Sequence, residues 1–457
     1  MARPKFTSLL AGAVVGVYLL VVAGATATLA DAAAACSTWP VCAPDSTAAL
    51  VALGHRAVAT LVGLLVVATV AVGWRDAEAR VRGGLLAALA LYPVQVGLGA
   101  VVARSGATGA TPGLHLAVAI TIFGALSVAL AWQLEAETGS DDAPTGRSVA
   151  EPTEPTEPTG NLPTFDSRRE RVTATLGAYA RMMKPRLMWL LALVAAAGMA
   201  LAAGRGLGVE TVVYTLGGGV LAIGASGTFN HVLERDIDRR MKRTSDRPLA
   251  TELVPVRNAV TFGLLLTVAA LVAFLQVNAL AAALGFVAIV FYSVIYTLVL
   301  KPNTVQNTVI GGAAGALPAL IGWAAVTGEV GLPGVVLAGV IFLWTPAHFY
   351  NLALAYKDDY ERGGFPMMPV VRGETTTRKH IVWYLAATLV AASALAAVTG
   401  LGVVYAATTV LFGAVFLYTV VRLHRERTER AAFRAFHASN AYLGALLLAV
   451  VLDSLAL

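Results

Sequence analysis

The sequence predicts an all-α polytopic membrane protein of about 13 transmembrane helices, arranged as a four-helix unit followed by a nine-helix bundle. Three observations carry that prediction. Hydrophobic residues make up 57% of the 457-residue chain and charged residues only 13%. Apolar runs recur at lengths that match the hydrocarbon core of a bilayer. Those runs are built from Ala, Leu, Val and Gly without polar/apolar alternation, so backbone groups in lipid are satisfied within helices rather than between barrel strands.

In chain order the spans are expected near 8–30, 48–74, 83–103 and 113–134, then near 187–204, 208–229, 256–276, 278–299, 305–325, 332–355, 380–399, 402–422 and 437–456. The boundary at Gln276 and Val277 has no polar loop and is the least marked. Small residues after the first run, at Ala30 and from Ala32, would also suit a cleaved signal peptide, but the run is longer than a usual signal core, so a retained span is expected. Orientation follows from Lys and Arg in short loops. Arg3, Lys5, Arg75, Arg80, Arg82, Lys184, Arg186, the cluster 235–247, Lys357, Arg362 and the run 422–434 fall on one side, and Arg104 and Arg205 on the other. The expectation is a cell-membrane protein with a cytoplasmic N-terminus and an outer C-terminus. The net charge of +6 is explained by these basic span ends, so no nucleic-acid partner is expected, only membrane lipid.

The chain has two cysteines, Cys36 and Cys42, in the outer loop ACSTWPVCAPD. An oxidising outer face allows a disulfide there, and free thiols are the alternative. Residues 136–172 are acidic, rich in Pro and Thr, and carry a Glu-Pro-Thr repeat, the composition of a flexible cytoplasmic linker. It separates a four-helix unit, 1–135, from a larger domain, 173–457.

The chemistry concentrates at NHVLERDIDRRMKRTSDRPL, residues 230–249, where twenty residues hold four carboxylates and six Lys or Arg. On a helix, Asn230, Glu234 and Asp238 share a face, with Asp236 nearby if the helix loosens. Such hard oxygen donors suit Mg²⁺ shared with a phosphate, and Arg239, Arg240, Lys242, Arg243 and Arg247 can neutralise a diphosphate. The bland reading of the basic residues is a solvated cytoplasmic loop. A second acidic patch, YKDDYERGGFPMMP at 356–369, lies four spans later and so returns to the same side. There Asp358 and Asp359 can face the first patch, with Lys357 as a phosphate contact. A metal-held diphosphate at the mouth of an apolar bundle suits ionisation of an allylic diphosphate, its tail shielded from water.

These two stretches resemble the acidic motifs of the UbiA superfamily of intramembrane prenyltransferases. Within it, E-x-D-x-D-x-x-M-x-R-T-x-x-R-P resembles the protoheme IX farnesyltransferases, or heme O synthases, as do KPRLMWL at 184–190, YTLVLKPNTVQNTVIGGAAGALPALIGW at 296–323 and WTPAHFYNLAL at 344–354. The resemblance covers 173–457 and implies a nine-helix UbiA-type bundle, Mg²⁺ as cofactor, farnesyl diphosphate as donor and heme B as acceptor. The implied product is heme O, a precursor of heme A for terminal oxidases, in which a vinyl group has become hydroxyethylfarnesyl. It implies catalytic roles for Asn230, Glu234, Asp238, Asp358 and Asp359. Metal ligands would come from Glu234, Asp236, Asp238, Asp358 and Asp359, and diphosphate contacts from Arg243, Arg247, Lys357, Lys184 and Arg186. The chain departs from the superfamily in having Glu234 in place of Asp, Arg362 where a second-motif Asp is usual, and Lys301-Pro302 in place of Lys-Arg. A quinone or lipid acceptor, and a non-enzymatic heme carrier, are the alternatives.

His348, beside Pro346, is read either as a heme contact or as the partner of a carbonyl freed by the proline kink. Tyr292 and Tyr296 are read as cation-stabilising faces or as packing aromatics. In the first unit His55 and His115 fall at similar depth on the second and fourth spans, the spacing of a pair that could clamp a heme iron. CSTWPVC, GHR and GLHLA resemble one half of a heme A synthase, and that resemblance implies heme bound by the N-terminal unit. Ala52 stands where that family has a carboxylate, so a complete site would need a second copy of the unit or a heme A synthase partner.

Overall fold

The computed structural model describes residues 3–29, 35–105, 109–139 and 165–456, and among them there is no strand. The helices long enough to name are α1 (Arg3–Leu29), α2 (Thr47–Gly73), α3 (Ala79–Ser105), α4 (Thr111–Thr138), α5 (Arg168–Met182), α6 (Pro185–Ala203) and α7 (Val209–Leu233). They continue with α8 (Val256–Leu275), α9 (Ala279–Val290), α10 (Asn307–Thr327), α11 (Leu332–Ala355), α12 (Glu374–Thr399), α13 (Val403–Glu426) and α14 (Glu429–Ala456). Thirteen helices among the described residues are long and apolar enough to cross a membrane, with α5 and α6 forming one continuous candidate.

Most of the expected linker, 140–164, lies outside the described residues, as do 30–34, the stretch that would suit signal cleavage. Its end differs from expectation, because α5 already begins at Arg168. Ser167 caps it by accepting the Glu170 N–H at 3.1 Å, and Glu170 in turn accepts the Asp166 N–H at 3.1 Å, a reciprocal start signal. The weak boundary at Gln276 is real: Asn278 caps α9 by accepting the Ala281 N–H at 2.8 Å and donates to the Ala324 carbonyl at 2.8 Å.

The helices group into two compact units, one taking Met1–Asp141 with Arg378–Leu446, the other Asp142–Thr377 with Leu447–Leu457. This division does not follow the expected boundary between 1–135 and 173–457. In the first unit Glu135 of α4 pairs with Arg80 at 2.9 Å and also with Lys379 of α12. Val14 and Phe123 pack with Val382, Leu385 and Leu417 around one small cavity. Its loop 36–42 is closed by a Cys36–Cys42 disulfide. Arg56 braces that loop, donating to the carbonyls of Cys36, Thr38 and Pro40 at 2.7, 2.8 and 3.1 Å.

In the second unit the backbones of α6 and α10 touch. A Cβ on Gly322 would sit 2.1 Å from the Ala195 carbonyl oxygen, and one on Gly198 would sit 2.5 Å from that of Ala319, so only glycine permits the crossing. Past α9 the chain continues as a π-helical stretch, Phe291–Leu300, before a last turn at Lys301–Asn303. Such stretches are rare and gather at functional sites. This one carries Tyr292, Tyr296 and Thr297 toward the end of α7.

Candidate active site

The first acidic motif begins as the last turn of α7 and runs on through a short helical turn, Arg235–Asp238. The Glu234 N–H donates to the Asn230 carbonyl at 2.9 Å and the Asp238 N–H to that of Glu234 at 2.8 Å, so the expected four-residue register survives the loosening at Glu234. Asn230, Glu234 and Asp238 are all buried, at 2, 4 and 2% exposure. Charged groups this deep must be paired. Arg247 Nη1 lies 2.8 Å from each Asp238 oxygen and 3.7 Å from Glu234 Oε2, so the two carboxylates converge on one point. Lys301 closes the other Glu234 oxygen at 2.5 Å.

Asn230 belongs to a second chain of contacts. Its carbonyl oxygen accepts the Lys184 ammonium at 2.5 Å, its amide donates to Thr297 Oγ1 at 3.2 Å, and Thr297 donates to the Tyr292 carbonyl at 2.8 Å. Lys184 also donates to the Tyr292 hydroxyl at 3.2 Å. It holds this place at a backbone cost of about 1–3 kcal/mol, being left-handed (φ 57°) and preceding a proline. Gly227 makes room for it, since a Cβ there would meet the Met182 carbonyl oxygen at 2.6 Å.

Electrostatics separate the two first-motif carboxylates. Burial pulls Glu234 up, but Lys301, Lys184 and Arg247 outweigh it and hold the group below its ordinary value. At Asp238 burial wins, aided by Glu234 and opposed by Arg247, and the pKa is raised.

The two acidic motifs meet. Asp359, 5% exposed, accepts the backbone N–H groups of Lys242 and Arg243, each at 3.0 Å, as well as the Arg362 guanidinium. Burial pushes this carboxyl up, and those donors together bring it below the ordinary aspartate value. Met241, Tyr360, Phe365 and Met367 form the apolar seam between the two segments.

Not every expected residue joins. Asp236 is turned away, its side chain 62% exposed and paired with Arg235 at 3.0 Å and Arg239 at 3.7 Å. Asp358 and Arg186 are exposed. Lys357 pairs with Glu374 at 3.1 Å. His348 is half-buried and stacks on Trp344, ring centroids 4.2 Å apart. Conversely Lys301 and Thr297 were not expected. Lys301 had a faint signal, a lone lysine closing a long apolar span, but nothing local pairs it with Glu234.

Magnesium, which the motif chemistry implies, fits the first motif. Glu234 and Asp238 supply oxygen donors that converge, Asn230 adds an oxygen one turn away that accepts from Lys184, and such an ion ordinarily completes its shell with water and phosphate oxygens. Among the described residues no group of three or more His, Cys, Asp or Glu is arranged to hold a metal. Beside this polar patch, and sharing Lys184 and Tyr292 with it, opens an apolar cleft of about 750 Å³ lined by side chains such as Leu187, Leu191, Ile223, Phe274 and Ile321.

A charged, oxygen-rich patch at the mouth of an apolar cleft inside a helical bundle defines an intramembrane enzyme for substrates with a polar head and a hydrocarbon tail. The chain belongs to the UbiA prenyltransferase family, whose model matches residues 190–444. Similar curated proteins are the protoheme IX farnesyltransferase of Haloarcula marismortui, 68% identical over 99% of both chains, and protoheme IX farnesyltransferase 1 of Natronomonas pharaonis, 67% identical over the whole of both. A protein of that name from Roseiflexus castenholzii is 36% identical over 99% of this chain and 84% of its own. Among solved structures, a digeranylgeranylglyceryl phosphate synthase shares the fold over 62% of this chain and 100% of its own, with a TM-score of 0.53 at 15% identity.

Proposed function

We propose that this protein transfers the farnesyl group of farnesyl diphosphate to a vinyl group of heme B, giving heme O. The observation that carries the reading is the junction at Lys184 and Tyr292, where the buried Asn230–Glu234–Asp238 patch meets the apolar cleft. Full-length identity to farnesyltransferases of protoheme IX supplies the acceptor. In the reaction the bond between the farnesyl C1 and the diphosphate oxygen breaks, and C1 bonds to the terminal vinyl carbon. Water then adds to the carbon next to the porphyrin ring and loses a proton, leaving a hydroxyethylfarnesyl substituent and pyrophosphate.

Asn230, Glu234 and Asp238 would hold magnesium, which when bound supplies charge that stabilises the leaving diphosphate. Lys184, Arg247 and Arg243 are the diphosphate contacts, and the cleft takes the prenyl chain and excludes water. Tyr292 lines the cleft, and the part of its ring turned away from the Lys184 ammonium, 5.4 Å from the centroid, is the surface that would face a developing allylic cation. His348 is the heme contact of α11. The cytoplasmic loops carry the acidic motifs, with the N-terminus inside, as the Lys and Arg distribution requires.

For the N-terminal unit the reading is heme binding through His55 and His115. Its support is that the Nδ1 atom of each is buried without a hydrogen-bond partner among the described residues, while His115 Nε2 lies 3.1 Å from Gln95 Nε2. A heme A synthase or a second copy of this unit is the partner that would complete it.

The test is expression in a host that makes heme B but no heme O, followed by mass analysis of extracted hemes. Appearance of the hydroxyethylfarnesyl adduct is expected. Its absence, with folded protein and added farnesyl diphosphate and Mg²⁺, would sink the proposal.

A further inference from the structure

The oxygens of Asp359 are already engaged. Oδ1 accepts the Lys242 N–H at 3.0 Å and the Arg362 guanidinium, and Oδ2 accepts the Arg243 N–H at 3.0 Å. These three donors fill three of the four lone-pair sites of the carboxylate and offset its charge, so it offers a metal ion one site on Oδ2, and a bidentate grip would displace backbone N–H groups in a part-buried turn, which is costly. What the contact does instead is fix the backbone of Arg243. The Arg243 guanidinium then lies over two aromatic faces, 5.0 Å from the Tyr356 centroid and 5.7 Å from that of Tyr360.

That setting separates Arg243 from its neighbours. Arg235, Arg239, Arg247 and Arg362 each sit on a carboxylate, whereas Arg240 and Lys242, like Arg243, do not among the described residues; only Arg243 of these three lies over aromatic rings. Among the described residues the Arg243 guanidinium has no ion pair or hydrogen bond in the structure, and Arg243 is exposed. Aromatic faces hold an arginine in place without using its in-plane donors, so the fork stays open to an oxyanion.

We propose that Asp359 is a positioning residue and not a metal ligand: it pins the 242–243 backbone so that Arg243, held against Tyr356 and Tyr360, presents its open fork to the diphosphate of the prenyl donor. This rests on the prenyl-transfer reading above. A guanidinium fork also suits the propionate carboxylates of a heme, so the source of the oxyanion is separated by experiment.

The full-length protein in nanodiscs is titrated with Mn²⁺, read by electron paramagnetic resonance, with pyrophosphate in the presence of Mg²⁺, read by calorimetry, and with heme B, read by absorbance. Asp359→Asn should weaken pyrophosphate binding about tenfold or more, the usual cost of losing a supporting contact, while Mn²⁺ binding stays at the wild-type level. Arg243→Lys, which keeps the charge but loses the planar fork, should weaken pyrophosphate to a similar degree and leave both Mn²⁺ and heme unchanged. Glu234→Gln should instead lose Mn²⁺. Equal loss of Mn²⁺ in Asp359→Asn and Glu234→Gln would overturn the assignment. So would an Arg243→Lys protein that binds pyrophosphate normally or loses only heme, and that variant decides the matter if Asp359→Asn does not fold. Wild-type protein that binds no pyrophosphate would instead undermine the prenyl-transfer reading itself.

Discussion

The two acidic motifs use buried carboxylates in opposite ways. Glu234 and Asp238 face side-chain cations, Lys301 and Arg247, whose flexible ends can move when a ligand brings its own charge. Asp359 faces backbone N–H groups of Lys242 and Arg243, which cannot move without unfolding the turn. Both arrangements satisfy the rule that buried charge is paired, yet only the first can exchange partners. Burial and acidity alone therefore do not mark a ligand site; the nature of the partner does.

The largest test of this contrast is removal of charge from the first motif. Glu234→Gln and Asp238→Asn should each lower farnesyl transfer by about 10²–10³-fold, the scale of losing a preorganised electrostatic contact, measured as heme O formed per unit time. If Asp358→Asn, whose carboxylate is exposed, were as damaging, the contrast would be broken. Stability comes next. Lys301→Met strands Glu234 with one distant arginine and should cost about 3 kcal/mol or more, read as a fall in unfolding midpoint. Combining it with Glu234→Gln should return much of that loss, because no unpaired charge is then buried. Little recovery in the double variant would mean Lys301 acts through something other than Glu234.

The smallest effect concerns pH. Because Asp359 sits below the ordinary aspartate value, its clasp contributes fully above the unfolded pKa of about 3.9 and is lost only as pH falls through the depressed folded value. The difference in melting temperature between wild type and Asp359→Asn should thus be flat from about pH 5 to 8 and shrink below about pH 4. A difference that vanished near neutral pH would show that the carboxylate is not held as described.

Much of this was legible in the residues. Helix count and span positions follow from apolar run length, since every run must hide its own backbone in lipid. The spacing of Asn230, Glu234 and Asp238 fixed a shared face, and four intervening spans returned Asp359 to the same side. Asp236, two residues from both Glu234 and Asp238, lies on the other side of the same turn, where it pairs with Arg235 and Arg239. The sequence missed Lys301 and Thr297. Their partners lie 67 residues away in sequence in each case, and the π-helical stretch that aims them looks like any other apolar run.

The membrane-length apolar runs, the helical class and the positions of the acidic motifs were thus determined by the sequence alone, because period, length and charge placement act locally. Tertiary structure alone decided which carboxylates face exchangeable cations and which face fixed backbone. The same holds for the joining of the polar patch to the apolar cleft at Lys184 and Tyr292, and for the grouping of 378–446 with the N-terminal helices. Those outcomes depend on contacts between segments far apart in the chain, where a single backbone crossing such as Gly322 against Ala195 sets what can meet.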